Sequence, residues 1–159
     1  MNLLPALRPI VEEVRRRFGT QIESCEAPHP DEIYLRTNQN TVSALCAFLY
    51  RKFHARLTNV FAEDARSNEG CFHIHRVLAL DAAHGYLIAR TSISPEKPEF
   101  LSMTTAVPAV NWHEREIQDW FGLKAIGHPN PRRMALHDDW PQVHPMRKDF
   151  VHEDQNAAA

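Results

Sequence analysis

Glycine is scarce: the chain has 5 among 159 residues, too little material for a glycine-rich loop that would cradle phosphates. Cysteine is nearly as sparse. Cys25, Cys46 and Cys71 lie far apart with no CxxC pair, which excludes a zinc ribbon or an encoded iron–sulfur ligand set and points to reduced thiols in a cytoplasmic compartment. A basic excess is missing too, and a net charge of −2 argues against a nucleic-acid partner. No apolar run approaches the roughly 20 residues that cross a bilayer. The opening "MNLLPALRPIVEEVRRRFG" is interrupted by Arg8, Glu12, Glu13 and Arg15 to Arg17, so it has no signal-peptide core. The expectation is a soluble chain that reaches a membrane only through a partner. There is no internal repeat.

What is present is enough apolar material for one real core: 43% hydrophobic against 24% charged residues. Ile10, Val11, Val14 and Phe18 recur at helical steps, predicting a helix that begins near Pro9 and stops at Gly19. A strand is expected over 31–37. A second helix follows, capped by Asn40 and striped by Val42, Leu45, Leu49 and Phe53. Alternation then predicts strands over 57–62, 71–80 and 85–93, the last two joined by the hairpin segment "DAAHG". This order suggests an α+β fold: a mostly antiparallel sheet with helices packed on one face. Pro95, Pro98 and Pro108 keep 95–110 from long regular structure. The expected organisation is an α+β domain over 1–124, an irregular proline-rich strap over 125–150 and a disordered tail over 151–159. The strap carries Met134, Leu136, Trp140, Met146 and Phe150, too many apolar side chains for a free tail.

The segment "NWHEREIQDWFGL" (111–123) concentrates the charge and raises the question of chemistry. A zinc-protease helix needs two histidines four apart, but Ile117 stands four after His113. His113 with Glu116 offers two ligands on one helical face. Cys71, His73 and His75 alternate along one strand face. Either set supports an alternative reading as a small metal-dependent hydrolase, against the plainer readings of a solvated helix face and outward strand imidazoles. His29, His128 and His144 each precede proline, which is foremost an extended-turn signal. The carboxylates could instead serve the strap: Glu116 and Asp119 paired with Arg132 or Arg133, with Arg147 and Lys148 facing a partner.

The run "EREIQDWFGLKAIGHPNPRR", followed by "DDWP" and "HPMRKDF", resembles the signature region of the 30 kDa subunit family of respiratory complex I, the NADH-quinone oxidoreductase. "PEKPEF" and "LHDDWP" lean toward the N-terminal domain of formate-hydrogenlyase-type large subunits of the energy-converting [NiFe] hydrogenases. "LTNVFAEDARSNEGCFHIHRVLAL" fits the family's strand region, so the resemblance extends to Phe150. Trp120, Asn130 and Ala135 depart from the usual family residues.

The resemblance implies a non-catalytic structural or assembly subunit with no catalytic, cofactor-binding or metal residue of its own. Iron–sulfur clusters, nickel–iron or quinone would then lie in partner subunits. Its partners would be the 49 kDa-type large subunit of complex I or the large subunit of a [NiFe] hydrogenase, with an iron–sulfur small subunit, on the cytoplasmic side of the inner membrane. Carried over by position, the docking signature is Glu114, Arg115, Glu116 and Asp119 on the helix and His128, Arg132 and Arg133 in the turn. Asp139, Trp140, Arg147, Lys148 and Asp149 continue it along the strap.

Overall fold

A computed structural model describes residues 2–151. The first helix, α1 (Arg8–Phe18), starts with Pro9 in its first turn and buries Ile10, Val11, Val14 and Phe18. The strands β1 (Ile22–Glu26) and β2 (Glu32–Thr37) form an antiparallel pair with a bulge between Ile22 and Ser24. Next comes α2 (Gln39–Phe53), whose N-cap is Asn38 rather than Asn40: the Asn38 carboxamide accepts from the Thr41 amide at 3.0 Å. The sequence offers two asparagines two residues apart, and only Asn38 keeps extended backbone geometry ahead of the first turn.

Three long strands complete the sheet: β3 (Arg56–Asp64), β4 (Phe72–Leu80) and β5 (Gly85–Ile93), with the short α3 (Arg66–Glu69) between β3 and β4. The sheet order is β1-β2-β5-β4-β3, antiparallel throughout except where β2 runs parallel to β5. The 81–84 connection closes a β4–β5 hairpin as expected, with His84 in the left-handed region. β3 is longer than the expected 57–62 because its polar end, Glu63 and Asp64, stays in register opposite His73 and Phe72.

Alternation sorts the sheet into two faces. Ile33, Leu35, Val60, Ile74, Leu78, Leu87 and Ala89 point inward and merge with the stripes of α1 and α2 into one core. Arg76 lies on the same inner face, almost wholly buried, and its Nη1 donates to Thr91 Oγ1 at 2.9 Å. The opposite face carries Tyr34, Phe61 and Tyr86, all partly exposed, together with His73 and His75. α1 and α2 thus pack on one face of the sheet, while the short α3 turns Glu69 toward the other.

Beyond Pro95 the only strand before the next helix is the three-residue β6 (Glu99–Leu101). The helix α4 (Asn111–Phe121) follows and ends at Gly122, whose φ of +65° makes the left-handed turn that glycine permits without strain. β7 (Lys124–Ile126) then pairs in parallel with β6. The expected domain boundary at 124 therefore falls inside β7, and the strap proper begins after Gly127. Residues 128–151 contain no helix or strand. The expected tail lies, apart from Val151, outside the described residues. No described helix is long and apolar enough to cross a membrane.

Candidate functional site

The signature helix α4 gathers the strap around itself. On its inner side Glu114, about 2% exposed, accepts hydrogen bonds from Ser102 Oγ, the Met103 amide and Thr104 Oγ1 at 2.5, 2.6 and 2.7 Å. It thereby holds the loop that links β6 to the helix. The sequence places Glu114 among the docking residues; it turns inward instead, because a carboxylate in the first helical turn can satisfy the polar groups of the preceding loop.

On the outer side Arg115 reaches across to the strap. Its Nε and Nη2 donate to the carbonyls of Arg132 and Arg133 at 2.8 and 3.0 Å. One turn further on, Asp119 does the reverse. Its Oδ2 accepts from the Met134, Ala135 and Leu136 amides at 2.8, 2.7 and 3.3 Å, and the residue is 5% exposed. The expected ion pairs of Glu116 and Asp119 with Arg132 or Arg133 are absent among the described residues. A chain without helix or strand leaves backbone N–H and C=O groups unpaired, and the charged side chains of α4 supply those missing partners. Glu116 accepts from Trp120 Nε1 at 3.3 Å, and Arg133 Nη1 donates to the carbonyls of His137 and Trp140 at 3.2 and 2.8 Å.

The C-terminal end of α4 is capped by the strap. The last carbonyls of a helix lack intrahelical partners. Here His144 Nδ1 lies 3.1 Å from the Asp119 carbonyl, the Met146 amide donates to Trp120 O at 3.1 Å, and Arg147 Nε donates to Phe121 O at 2.7 Å. Gly122 matters twice, for its left-handed backbone and because any Cβ there would collide with the His144 ring. His128, 8% exposed, is fixed by the Asn130 amide donating to Nδ1 at 3.0 Å, which leaves Nε2 to donate to the Asn111 carbonyl at 3.2 Å.

A second clasp holds the end of the strap. Arg66 bridges the Asp64 and Asp149 carboxylates, 2.7 Å from each, and the Lys148 amide donates to Asp64 Oδ2 at 2.9 Å. The Arg66 guanidinium holds the Asp64 carboxyl well below the usual carboxylate range, against the upward push of burial and with help from the Lys148 and Arg66 amides. Asp149 is likewise drawn down, chiefly by Arg66. Arg147, expected to face a partner, stacks its guanidinium over the Phe72 ring with 5.4 Å to the centroid, while the Lys148 side chain stays exposed near Ser67. Asp139 is exposed, and Trp140 Nε1 donates to the Val143 carbonyl at 3.2 Å. Asp64 and Arg66 escape a reading of the sequence: Arg66 and Asp149 are 83 residues apart, and no local pattern connects them.

The strap's backbone is thus tied to the domain while much of its apolar surface is not covered. Met146 is 57% exposed and Val143 41%. Between α4 and the outer strand β3 runs a groove of about 510 Å³, lined by Val60, Phe61, Ile117, Trp120, Phe121 and Met146. Trp112, on the same helix, is 69% exposed.

The metal-dependent hydrolase reading finds no support. His113 and Glu116 belong to no described group of three ligand side chains. In the strand set, His75 turns to Glu63, 3.0 Å away, and stacks on Phe61, so it does not join Cys71 and His73.

Comparison with known proteins agrees with this architecture. The family described as respiratory-chain NADH dehydrogenase, 30 Kd subunit, matches residues 35–156. Hydrogenase-4 component G of Escherichia coli (strain K12) is 30% identical over 144 residues, covering 89% of this chain and 26% of that protein. Formate hydrogenlyase subunit 5 of the same organism is 34% identical over 130 residues, covering 80% and 23%. The C subunit of NADH-quinone oxidoreductase from Salinispora tropica is 28% identical over 144 residues, covering 88% and 58%. The chain therefore spans about a quarter of the two Escherichia coli relatives and somewhat over half of the third.

Among solved structures, a chain of the membrane-bound sulfane sulfur reductase, an archaeal respiratory membrane complex, shares the fold with a TM-score of 0.75 at 17% identity, over 93% of this chain and 87% of that one. The trypsin-resistant fragment of Nqo5 does so with a TM-score of 0.65 at 19% identity, over 79% and 98%. The α+β fold, the strap-bearing signature helix and the family match over 35–156 together make this chain a member of the respiratory-chain NADH dehydrogenase 30 kDa subunit family.

Proposed function

We propose that this chain is a non-catalytic docking domain of an energy-converting redox complex, either a complex I-type NADH-quinone oxidoreductase or a related [NiFe] hydrogenase. It seats against the large subunit through the groove between α4 and β3 and holds no redox cofactor of its own. The clusters, nickel–iron or quinone belong to its partners, which include an iron–sulfur small subunit. It lies on the cytoplasmic side of the membrane and contacts the bilayer only through the complex.

The observation that carries this reading is the contrast within the strap. Its backbone is held by Arg115, Asp119 and the α4 C-terminus, which makes it rigid, yet it presents Met146 beside the exposed Phe61 and the apolar floor of Ile117 and Phe121. A pre-organised apolar surface binds with little ordering cost, which suits a scaffold more than a catalyst. Among the relatives, hydrogenase-4 component G and formate hydrogenlyase subunit 5 favour the hydrogenase branch.

The test is a tagged pull-down from gently solubilised membranes, with the retained proteins identified by mass spectrometry. Recovery of a large subunit with two CxxC nickel-ligand pairs establishes the hydrogenase branch, and a large subunit without them establishes complex I. Retention of no large subunit, or NADH oxidation by the pure chain, contradicts the proposal.

A further inference from the structure

On the sheet face opposite the core, Glu69, Cys71 and His73 converge. His73 faces this side of β4, Cys71 just before the strand lies beside it, and Gly70, with φ of +70°, turns the chain so that the last residue of α3 folds back over them. One ligand atom from each of the three lies within 4.8 Å of the others. His73 Nε2 is 3.1 Å from Glu69 Oε2 and 3.8 Å from Cys71 Sγ. A tetrahedral zinc-class ion with bonds of roughly 2.0–2.3 Å separates its ligand atoms by about 3.3–3.6 Å, so the two His73 spacings need to change by only a few tenths of an ångström, while Glu69, at the exposed end of the group, swings to close the remaining distance to Cys71.

We infer that Glu69, Cys71 and His73 form a binding site for a zinc-class divalent cation, with the fourth coordination position open.

Three further features fit the assignment. First, His73 is fully buried and its Nδ1 lies 3.3 Å from Ser92 Oγ, so the ring is oriented by a second group and presents Nε2 to the other two ligands. That is the support a metal-ligating imidazole ordinarily receives. Second, Arg36 and Arg90 approach Glu69 only at 3.5 and 3.6 Å, one near each carboxylate oxygen. These contacts are too long to lock the carboxylate. One oxygen can ligate while the other remains near an arginine, whose charge then balances the thiolate and carboxylate. Third, thiolate, imidazole and one carboxylate make a donor set that prefers zinc over magnesium or calcium, both of which demand oxygen ligands.

The ion would tie α3 to β4 three residues from Arg66, the cation that clasps the strap at Asp149. A zinc-class ion is redox-inert, so the site adds no electron-transfer step, and it is independent of the docking reading.

The test is titration of Co²⁺ into the metal-free, reduced full-length chain. A single saturable equivalent is expected, with a thiolate-to-cobalt charge-transfer band and the strong visible absorption of a tetrahedral ion. Zn²⁺ should displace it and raise the thermal midpoint, as any ligand that binds only the folded state does. Cys71→Ser should abolish the charge-transfer band, and Glu69→Gln, a change at a side chain that is 44% exposed, should weaken binding about tenfold or more. His75→Gln should leave both unchanged. Absence of a saturable charge-transfer band, or equal binding by the wild type and both ligand variants, overturns the assignment and leaves an adventitious ion only.

Discussion

Replacing Asp119 with alanine removes the acceptor that three successive strap amides share. The two short bonds, 2.8 Å from Met134 and 2.7 Å from Ala135, are charge-assisted, and the third, from Leu136 at 3.3 Å, is weaker. A hydrogen bond to a charged group contributes about 1.5–3 kcal/mol, but bonds that share one oxygen do not add fully, and half-buried amides recover some water once released. The expected cost is about 3 kcal/mol for Asp119→Ala. Asp119→Asn keeps an oxygen in place and loses only the charge, so it should cost about 1 kcal/mol. With no helix or strand of its own, the strap should open at a lower free energy than the sheet, so the global midpoint in urea registers only part of this cost. Amide hydrogen exchange reads it directly: residues 134–136 should exchange about a hundredfold faster in Asp119→Ala, and those of β4 and β5 should not change. Unchanged protection at 134–136 would refute the idea that the helix carboxylate organises the strap.

The remaining expectations concern the same architecture. Gly122→Ala must adopt left-handed backbone and displace the His144 ring, so it should cost about 2 kcal/mol or more by thermal melting, and it should free the strap to limited proteolysis near 144. The folded-state pKa of Asp64 is depressed, so its contribution is present above the unfolded carboxylate value of about 3.9 and is lost as pH falls through the lower folded value. The stability difference between wild type and Asp64→Asn should therefore be constant from neutral pH down to about 5 and shrink below about 4, read by denaturant unfolding at each pH. Cys46 is buried and its thiol is pushed up to about 11, so it should resist alkylation at neutral pH until the protein is unfolded, which mass spectrometry will report.

The legible parts of the fold are those with a dominant period. The stripes of α1 and α2 each bury one face, and β4 and β5 keep apolar side chains at one parity although β4 is buried on both sides, so the hydrophobic pattern specifies them. β1 is not legible because it is a bulged edge strand whose "IESCE" has little apolar content. β6 and β7 are three-residue strands that exist only because α4 brings their ends together. The charged character of α4 and the strap's dependence on a surface are also readable. The direction of the pairing is not: charge patterns suggest ion pairs, whereas Arg115 and Asp119 satisfy backbone groups, which leave no trace in a residue's identity. Arg76 makes the same point from inside the core, since strand parity assigns it to the apolar face and the Thr91 hydroxyl and Ile74 carbonyl that accept from it show how it is accommodated there.

The docking surface is most directly tested by comparing wild type with a Phe61→Glu, Met146→Glu double variant in the membrane pull-down. Both side chains are partly exposed, at 43% and 57%, so charging them should leave the fold intact and lower the melting temperature only by what the lost Phe61–His75 stack contributes. The wild type should retain the large subunit and the double variant should lose it. Full retention by a folded double variant would contradict the groove between α4 and β3 as the seat of the partner.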